Sequence, residues 1–176
     1  MHNYVKQLDS DINVDLLATE IRDLVTSQNL LNELQISLTS KTGSNDWLVS
    51  IGRTSSITMP ESEYNQINNY LKGTYIEECI LRYPEYYRWR ILKMLPKTAY
   101  SIHDDKLYPD KESIRLHIPV ITNPTSLMYF YNEDDWTAKI FHLDAGNTYE
   151  TNTTRLHCAI NHGEKDRVHI VGVKHA

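Results

Sequence analysis

Ile114-Arg115-Leu116-His117-Ile118-Pro119-Val120-Ile121 alternates apolar with cationic or imidazole side chains over its first half. In an extended chain successive side chains point to opposite faces, so Ile114, Leu116 and Ile118 share one face while Arg115 and His117 share the other. The same phase recurs twice downstream. Arg155 and His157 oppose Leu156 and Cys158, and Arg167 and His169 oppose Val168 and Ile170. A solvent-facing polar side explains any one such strand, but three repetitions point to a shared polar interior.

Outward from this stretch, residues after Tyr86 break into short β-type runs separated by turn residues: Trp89–Leu95, Ile114–Ile121, Leu127–Tyr131, Lys139–Leu143, Arg155–Ile160 and Arg167–Val173. The runs lie too close together for crossover helices, so antiparallel pairing is expected. The fold class that follows is mainly β with N-terminal helices: a cupin-like jelly roll, or double-stranded β-helix, with helices packed outside it. Upstream, Leu16, Leu17, Ile21, Leu24 and Val25 recur at helical spacing between Asp11 and Ser27. A second amphipathic helix is expected after Pro60, with Tyr64, Ile67 and Leu71 on one face and Gly73 as its stop. The helical signal resumes through Ile76, Ile80 and Leu81 until Pro84, and Asp46 to Arg53 reads as a strand. The expectation is one domain over 1–176, with 1–86 as scaffold and pocket wall and 87–173 as the β core.

The chain has 176 residues and a formal net charge of −5, so no overall positive field draws it onto phosphate backbones or anionic lipid. Nucleic acid is disfavoured as a partner. No long apolar span or secretory leader is evident, and Cys79 and Cys158 lack metal-site or disulfide-framework spacing. A cytoplasmic protein with reduced cysteines is expected.

His103-x-Asp105 places an imidazole and a carboxylate on one side of an extended segment, suited to adjacent corners of a metal ion. Alone the motif is weak. A third ligand from the later strand carrying His157 would complete a two-histidine, one-carboxylate facial triad, a donor set that suits Fe(II) and leaves positions open for a chelating co-substrate and O2. By spacing, His142, His162 and His169 remain alternative ligands, with His142 read as structural or exposed. Arg167, on the strand after His157, supplies a planar guanidinium able to grip the far carboxylate of a small dicarboxylate. Arg115 and His117 are expected to add a second anion-binding arm. Tyr100, Tyr129 and Trp136 are candidates for the pocket wall, although aromatic strand residues more often belong to a core.

From Tyr87 to Gly172 the sequence resembles the iron(II)- and 2-oxoglutarate-dependent oxygenases, in particular the aspartyl/asparaginyl β-hydroxylase-like group that includes small cis-proline hydroxylases. The pieces that carry the resemblance are Arg90 with Ile91-Leu92, His103-Asp104-Asp105, Arg115-Leu116-His117-Ile118-Pro119-Val120 with Thr122-Asn123, Phe141-His142-Leu143-Asp144-Ala145-Gly146, His157, and Arg167-Val168-His169-Ile170-Val171. The resemblance implies that His103, Asp105 and His157 bind iron, that Arg167 holds the distal carboxylate of 2-oxoglutarate with help from Arg115 and His117, and that Arg90 holds a substrate carboxylate. It implies an O2-using hydroxylase acting on a free amino acid or related small molecule. A residue within a peptide is the alternative substrate, and a non-catalytic cupin-like binding module is the alternative from another class.

Overall fold

The computed structural model describes residues 4–52 and 60–176. In chain order its regular elements are β1 (Val5–Gln7), α1 (Val14–Ser27), β2 (Gln35–Ser37), β3 (Thr39–Ser40), β4 (Gln66–Ile67), α2 (Tyr75–Leu81), β5 (Tyr87–Met94), β6 (Thr98–Ala99), β7 (Ser113–Ile121), β8 (Ser126–Tyr131), β9 (Ala138–His142), β10 (Tyr149–Asn152), β11 (His157–Asn161) and β12 (Arg167–His175). The strands form a major sheet in the order β1-β10-β7-β12-β5-β2 and a minor sheet in the order β6-β11-β8-β9. Every pairing in both sheets is antiparallel. This is the expected mainly β jelly roll. The β3–β4 pair stands apart as a small ribbon.

The N-terminal half is woven into the β framework. β1 and β2, both from before residue 86, form the two edges of the major sheet, so the strands of the second half are flanked by strands from the first, and β10, which the sequence runs did not include, pairs with β1.

Alternation dictates where the core forms. On one face of the major sheet, Leu116, Ile118, Val168, Ile170, Ile91 and Trp89 are buried against Leu17, Ile21 and Leu24 of α1 and Ile76, Cys79 and Ile80 of α2. The main apolar core therefore lies outside the barrel, between helices and sheet. A smaller cluster of Met94, Met128, Phe130, Leu143, Tyr149 and Ala159 fills the inter-sheet space away from the polar residues.

Local chemistry sets the helices. The side chain of Asn13 caps α1 by accepting from the Leu16 amide at 3.1 Å, and Thr74 caps α2 by accepting from the Glu77 amide at 3.2 Å. Glu20 of α1 accepts from the Tyr75 and Ile76 amides at 2.8 and 2.9 Å, tying the first turn of α2 to the flank of α1. Among the described residues no helix is long and apolar enough to cross a membrane.

Three sequence expectations are corrected. The stretch from Asp46 is turn rather than strand, and its last residue, Arg53, lies outside the described residues. Trp47 turns inward while Leu48 and Val49 stay exposed, and the Ser50 amide donates to Ser37 Oγ at 3.0 Å, which anchors the turn to the edge of β2. The helix expected after Pro60 is replaced by single 3-10 turns at Glu61–Glu63 and Asn69–Leu71 on either side of β4. The Asn68 amide and side chain donate to Leu38 O and Ser37 O, both at 3.0 Å, so this backbone is bonded to a neighbouring segment instead of to itself. Arg155 lies in the turn before β11, so the third Arg-x-His repeat enters its strand only at His157.

Candidate active site

The polar faces of the two sheets enclose a cavity of about 800 Å³. Strand register supplies its walls. Arg90 pairs with Val171, Val171 with His117, and Val173 with Arg115, which places Arg90, His117 and Arg115 on the inner side of the major sheet together with Arg167 and His169. His157 and Ala159 face them from β11.

His103, Asp105 and His157 converge there: one ligand atom from each lies within 4.8 Å of the other two. The convergence is built from backbone pairing. The His103 amide donates to the His157 carbonyl at 3.0 Å, the His157 amide returns a bond to the His103 carbonyl at 2.8 Å, and the Asp105 amide donates to Thr153 O at 2.9 Å. The imidazole centroids are 4.4 Å apart. His103 Nδ1 contacts Ser101 O at 2.7 Å and His157 Nδ1 contacts Arg155 O at 2.9 Å. A carbonyl only accepts, so each Nδ1 carries the proton and each Nε2 keeps its lone pair for a ligand. On Asp105, Oδ2 accepts from Arg115 Nε at 3.1 Å, while Oδ1 faces His103 Nε2 at 3.9 Å.

The electrostatics favour the same states. Burial would raise the Asp105 pKa, but the charge and hydrogen bond of Arg115 hold its carboxyl well below the usual carboxylate range. Burial lowers the His157 pKa against the opposing pull of Asp105, which favours a neutral imidazole. His117 and His169 are pushed well below the ordinary histidine value by burial and then by the charge of Arg167. Their Nδ1 atoms are 3.3 Å apart, and Arg167 Nη2 contacts His169 Nδ1 at 3.1 Å.

The cavity's arginines fall into two kinds. Arg88 and Arg115 are neutralised: both reach Glu61, and Arg115 also reaches Asp105. Arg90 and Arg167 have no carboxylate within 4.0 Å among the described residues, and residues 1–3 and 53–59 include no Asp or Glu. Arg90, 6% exposed, donates from Nη1 to Gln35 Oε1 at 3.3 Å, and its buried Nε is unpartnered. Arg167, 4% exposed, has Met94 Sδ at 3.3 Å from Nη1, and burial lowers its pKa to about 10 against the pull of Tyr100. Two buried cations without counter-ions in one cavity call for anionic groups from outside the chain.

The remaining candidates sit elsewhere. His142 is on β9, with Nδ1 at 2.9 Å from Ser126 O and Nε2 at 3.3 Å from Asp144, and His162 is exposed beyond β11. Neither His142, His162 nor His169 joins the cluster. Tyr100 lines the cavity, whereas Tyr129 lies on the opposite face of its strand from the inward Met128 and Phe130, and Trp136 is 63% exposed. Sequence reasoning missed Glu61 and Arg88. Arg88 adopts φ +50°, uncommon for a side chain of this size, and donates from Nε and Nη2 to Ser50 O and Gly52 O, both at 3.0 Å. The Arg88-Trp89-Arg90 alternation was the available signal for that residue.

No family model matches the chain, and no curated protein matches it. Solved structures do. AviO1 from Streptomyces viridochromogenes Tue57 superposes with a TM-score of 0.58 at 11% identity, over 99% of this chain and 90% of that one. A prolyl-4-hydroxylase from Pseudomonas putida gives 0.52 at 8% identity, over 97% and 91%. An oxidoreductase of the 2OG-Fe(II) oxygenase family from Burkholderia pseudomallei gives 0.52 at 14% identity, over 97% and 83%. The chain thus has the jelly-roll fold found in 2-oxoglutarate and iron(II) oxygenases. At these identities the likeness establishes the architecture, and the chemistry rests on the side chains.

Proposed function

We propose that the protein is an iron(II)- and 2-oxoglutarate-dependent dioxygenase that hydroxylates an unactivated C–H bond of a free amino acid or related small carboxylate, releasing succinate and CO2. One observation carries the reading: a His-Asp-His cluster and a buried, uncompensated Arg167 share a single cavity. The donor set fits iron(II), since two imidazole Nε2 atoms and one carboxylate oxygen are free while their outer atoms are held by carbonyls and a guanidinium. The order of these residues along the chain supports placement in the aspartyl/asparaginyl β-hydroxylase-like group.

In this reading His103, Asp105 and His157 hold the metal. Iron(II), together with 2-oxoglutarate and O2, supplies the oxidative decarboxylation and the oxidising power for the C–H bond. The chain's own task is positioning. Arg167 grips the distal carboxylate of 2-oxoglutarate, with the neutral His117 and His169 beside it adding no competing charge. Arg90 takes the carboxylate of the substrate and orients its carbon chain, and Leu92, Met128 and Val171 line the cavity with apolar surface that excludes water. Arg115 contributes by holding Asp105, with its Nε and Nη1 already directed at carboxylates.

The test is anaerobic addition of iron(II) and 2-oxoglutarate while watching for a visible charge-transfer band, followed by a panel of amino acids and peptides screened for succinate release. The band is expected in the wild type and absent in His103→Ala. Arg90→Met is expected to keep the band while losing the stimulation by carboxylate substrates. A wild type that gives neither band nor succinate would reduce the protein to a binding module, and stimulation by peptides alone would move the substrate to a residue within a chain.

A further inference from the structure

Behind the cluster lies a second carboxylate that the reaction does not use directly. Glu61 is 0% exposed and gathers three donors: Arg88 Nη1 and, at 3.5 Å, Arg115 Nη1 on Oε1, and His175 Nε2 at 2.6 Å on Oε2. Arg88 is satisfied without Arg115, since its other nitrogens donate to the carbonyls of Ser50 and Gly52. Arg115 is the shared member. Its Nε reaches Asp105 Oδ2 while its Nη1 reaches Glu61.

Arg115 donates from different sides of its guanidinium, Nε to Asp105 Oδ2 and Nη1 to Glu61, so the second carboxylate fixes the group that holds the first, and Asp105 Oδ1 stays turned toward His103. Glu61 also balances charge. Arg88 and Arg115 stand against Glu61 and Asp105, and removing the first carboxylate would leave an uncompensated positive charge near the place where a dication is to bind.

We propose that Glu61 is a positioning residue for the metal centre, acting through Arg115 to hold the Asp105 carboxylate with Oδ1 toward His103 and to keep the local charge low enough to accept a divalent cation. This rests on the metal-binding reading of His103, Asp105 and His157. Nothing in the local sequence marks the residue, which reads as one acid among several after Pro60.

The test titrates the full metal-free protein with Co(II), read by visible absorption, alongside thermal unfolding. Glu61→Gln is expected to raise the Kd for Co(II) by about 10- to 100-fold, the range seen when outer-shell partners of metal ligands are removed. His175→Phe removes a hydrogen bond from the same buried carboxylate without touching Arg115, and is expected to lower Tm while leaving the Kd unchanged. If Glu61→Gln does not fold, Arg115→Lys asks the same question, because a point charge cannot span Asp105 and Glu61 at once. A folded Glu61→Gln or Arg115→Lys variant with wild-type affinity overturns the proposal, as does a His175→Phe variant that weakens Co(II) as much as Glu61→Gln. A wild type that takes up no Co(II) overturns the metal centre itself, and the positioning role with it.

Discussion

The two faces of β7 and β12 are made from alternate residues of the same strands, yet they have opposite energetics. Leu116, Ile118, Val168 and Ile170 face the helices and bury apolar surface; Arg115, His117 and Arg167 line the cavity, and His169 is buried on the same inner face. Burying apolar area stabilises by about 25 cal/mol per Å², whereas burying an unpaired cation costs free energy. The difference teaches how the barrel can keep a polar interior. Its cohesion is gathered on the outside, under α1 and α2, so the inner face is released from the need to pack.

That contrast is open to measurement, beginning where the effect on stability is greatest. Ile170 is fully buried on the outer face, in register with Ile118 and Ile91. Ile170→Ala is expected to lower unfolding free energy by about 2–5 kcal/mol in denaturant titration while leaving Co(II) affinity unchanged. Gly172 follows on the same face. A Cβ there would lie 2.8 Å from Trp89 Cε2 and 2.9 Å from Cδ2, and Trp89 is 1% exposed, so the ring cannot easily yield. Gly172→Ala is expected to cost about 1–3 kcal/mol by overpacking, again with no change in metal uptake. Least affected in stability is the inner face. Arg167→Met replaces a buried cation lacking a carboxylate partner, so unfolding free energy should stay within about 1 kcal/mol of the wild type or rise. The same variant should raise the 2-oxoglutarate concentration needed for turnover, and an unchanged requirement would remove Arg167 from the co-substrate site. A large stability loss in Arg167→Met would show that the two faces are not energetically separate.

Much of the β framework was legible because period-two alternation is a local property. The runs later seen as β5, β7, β8, β9, β11 and β12 all announced themselves, and α1 did so through Leu17, Ile21 and Leu24. The short edge strands β1 and β2 did not, since three-residue segments carry no period and are defined by the partners they find. Residues 60–73 misled for the opposite reason. Tyr64, Ile67 and Leu71 do suit one helical face, but the buried Glu61 and Asn68 bond outward to neighbouring segments and prevent the helix. In the site, the structure brings His103, Asp105 and His157 together and places Arg90, Arg115, His117 and Arg167 around them. Arg115 meets the carboxylates of Asp105 and Glu61, and its pairing with Glu61 spans too much chain for any motif to record.

The reciprocal main-chain bonds between His103 and His157 carry a consequence for engineering. The stations of both rings are set by peptide groups, which do not depend on what is attached to the α-carbon. A different donor grafted at either position would start from the same anchor points, making this bridge a ready mount for retuning which ion the hollow prefers.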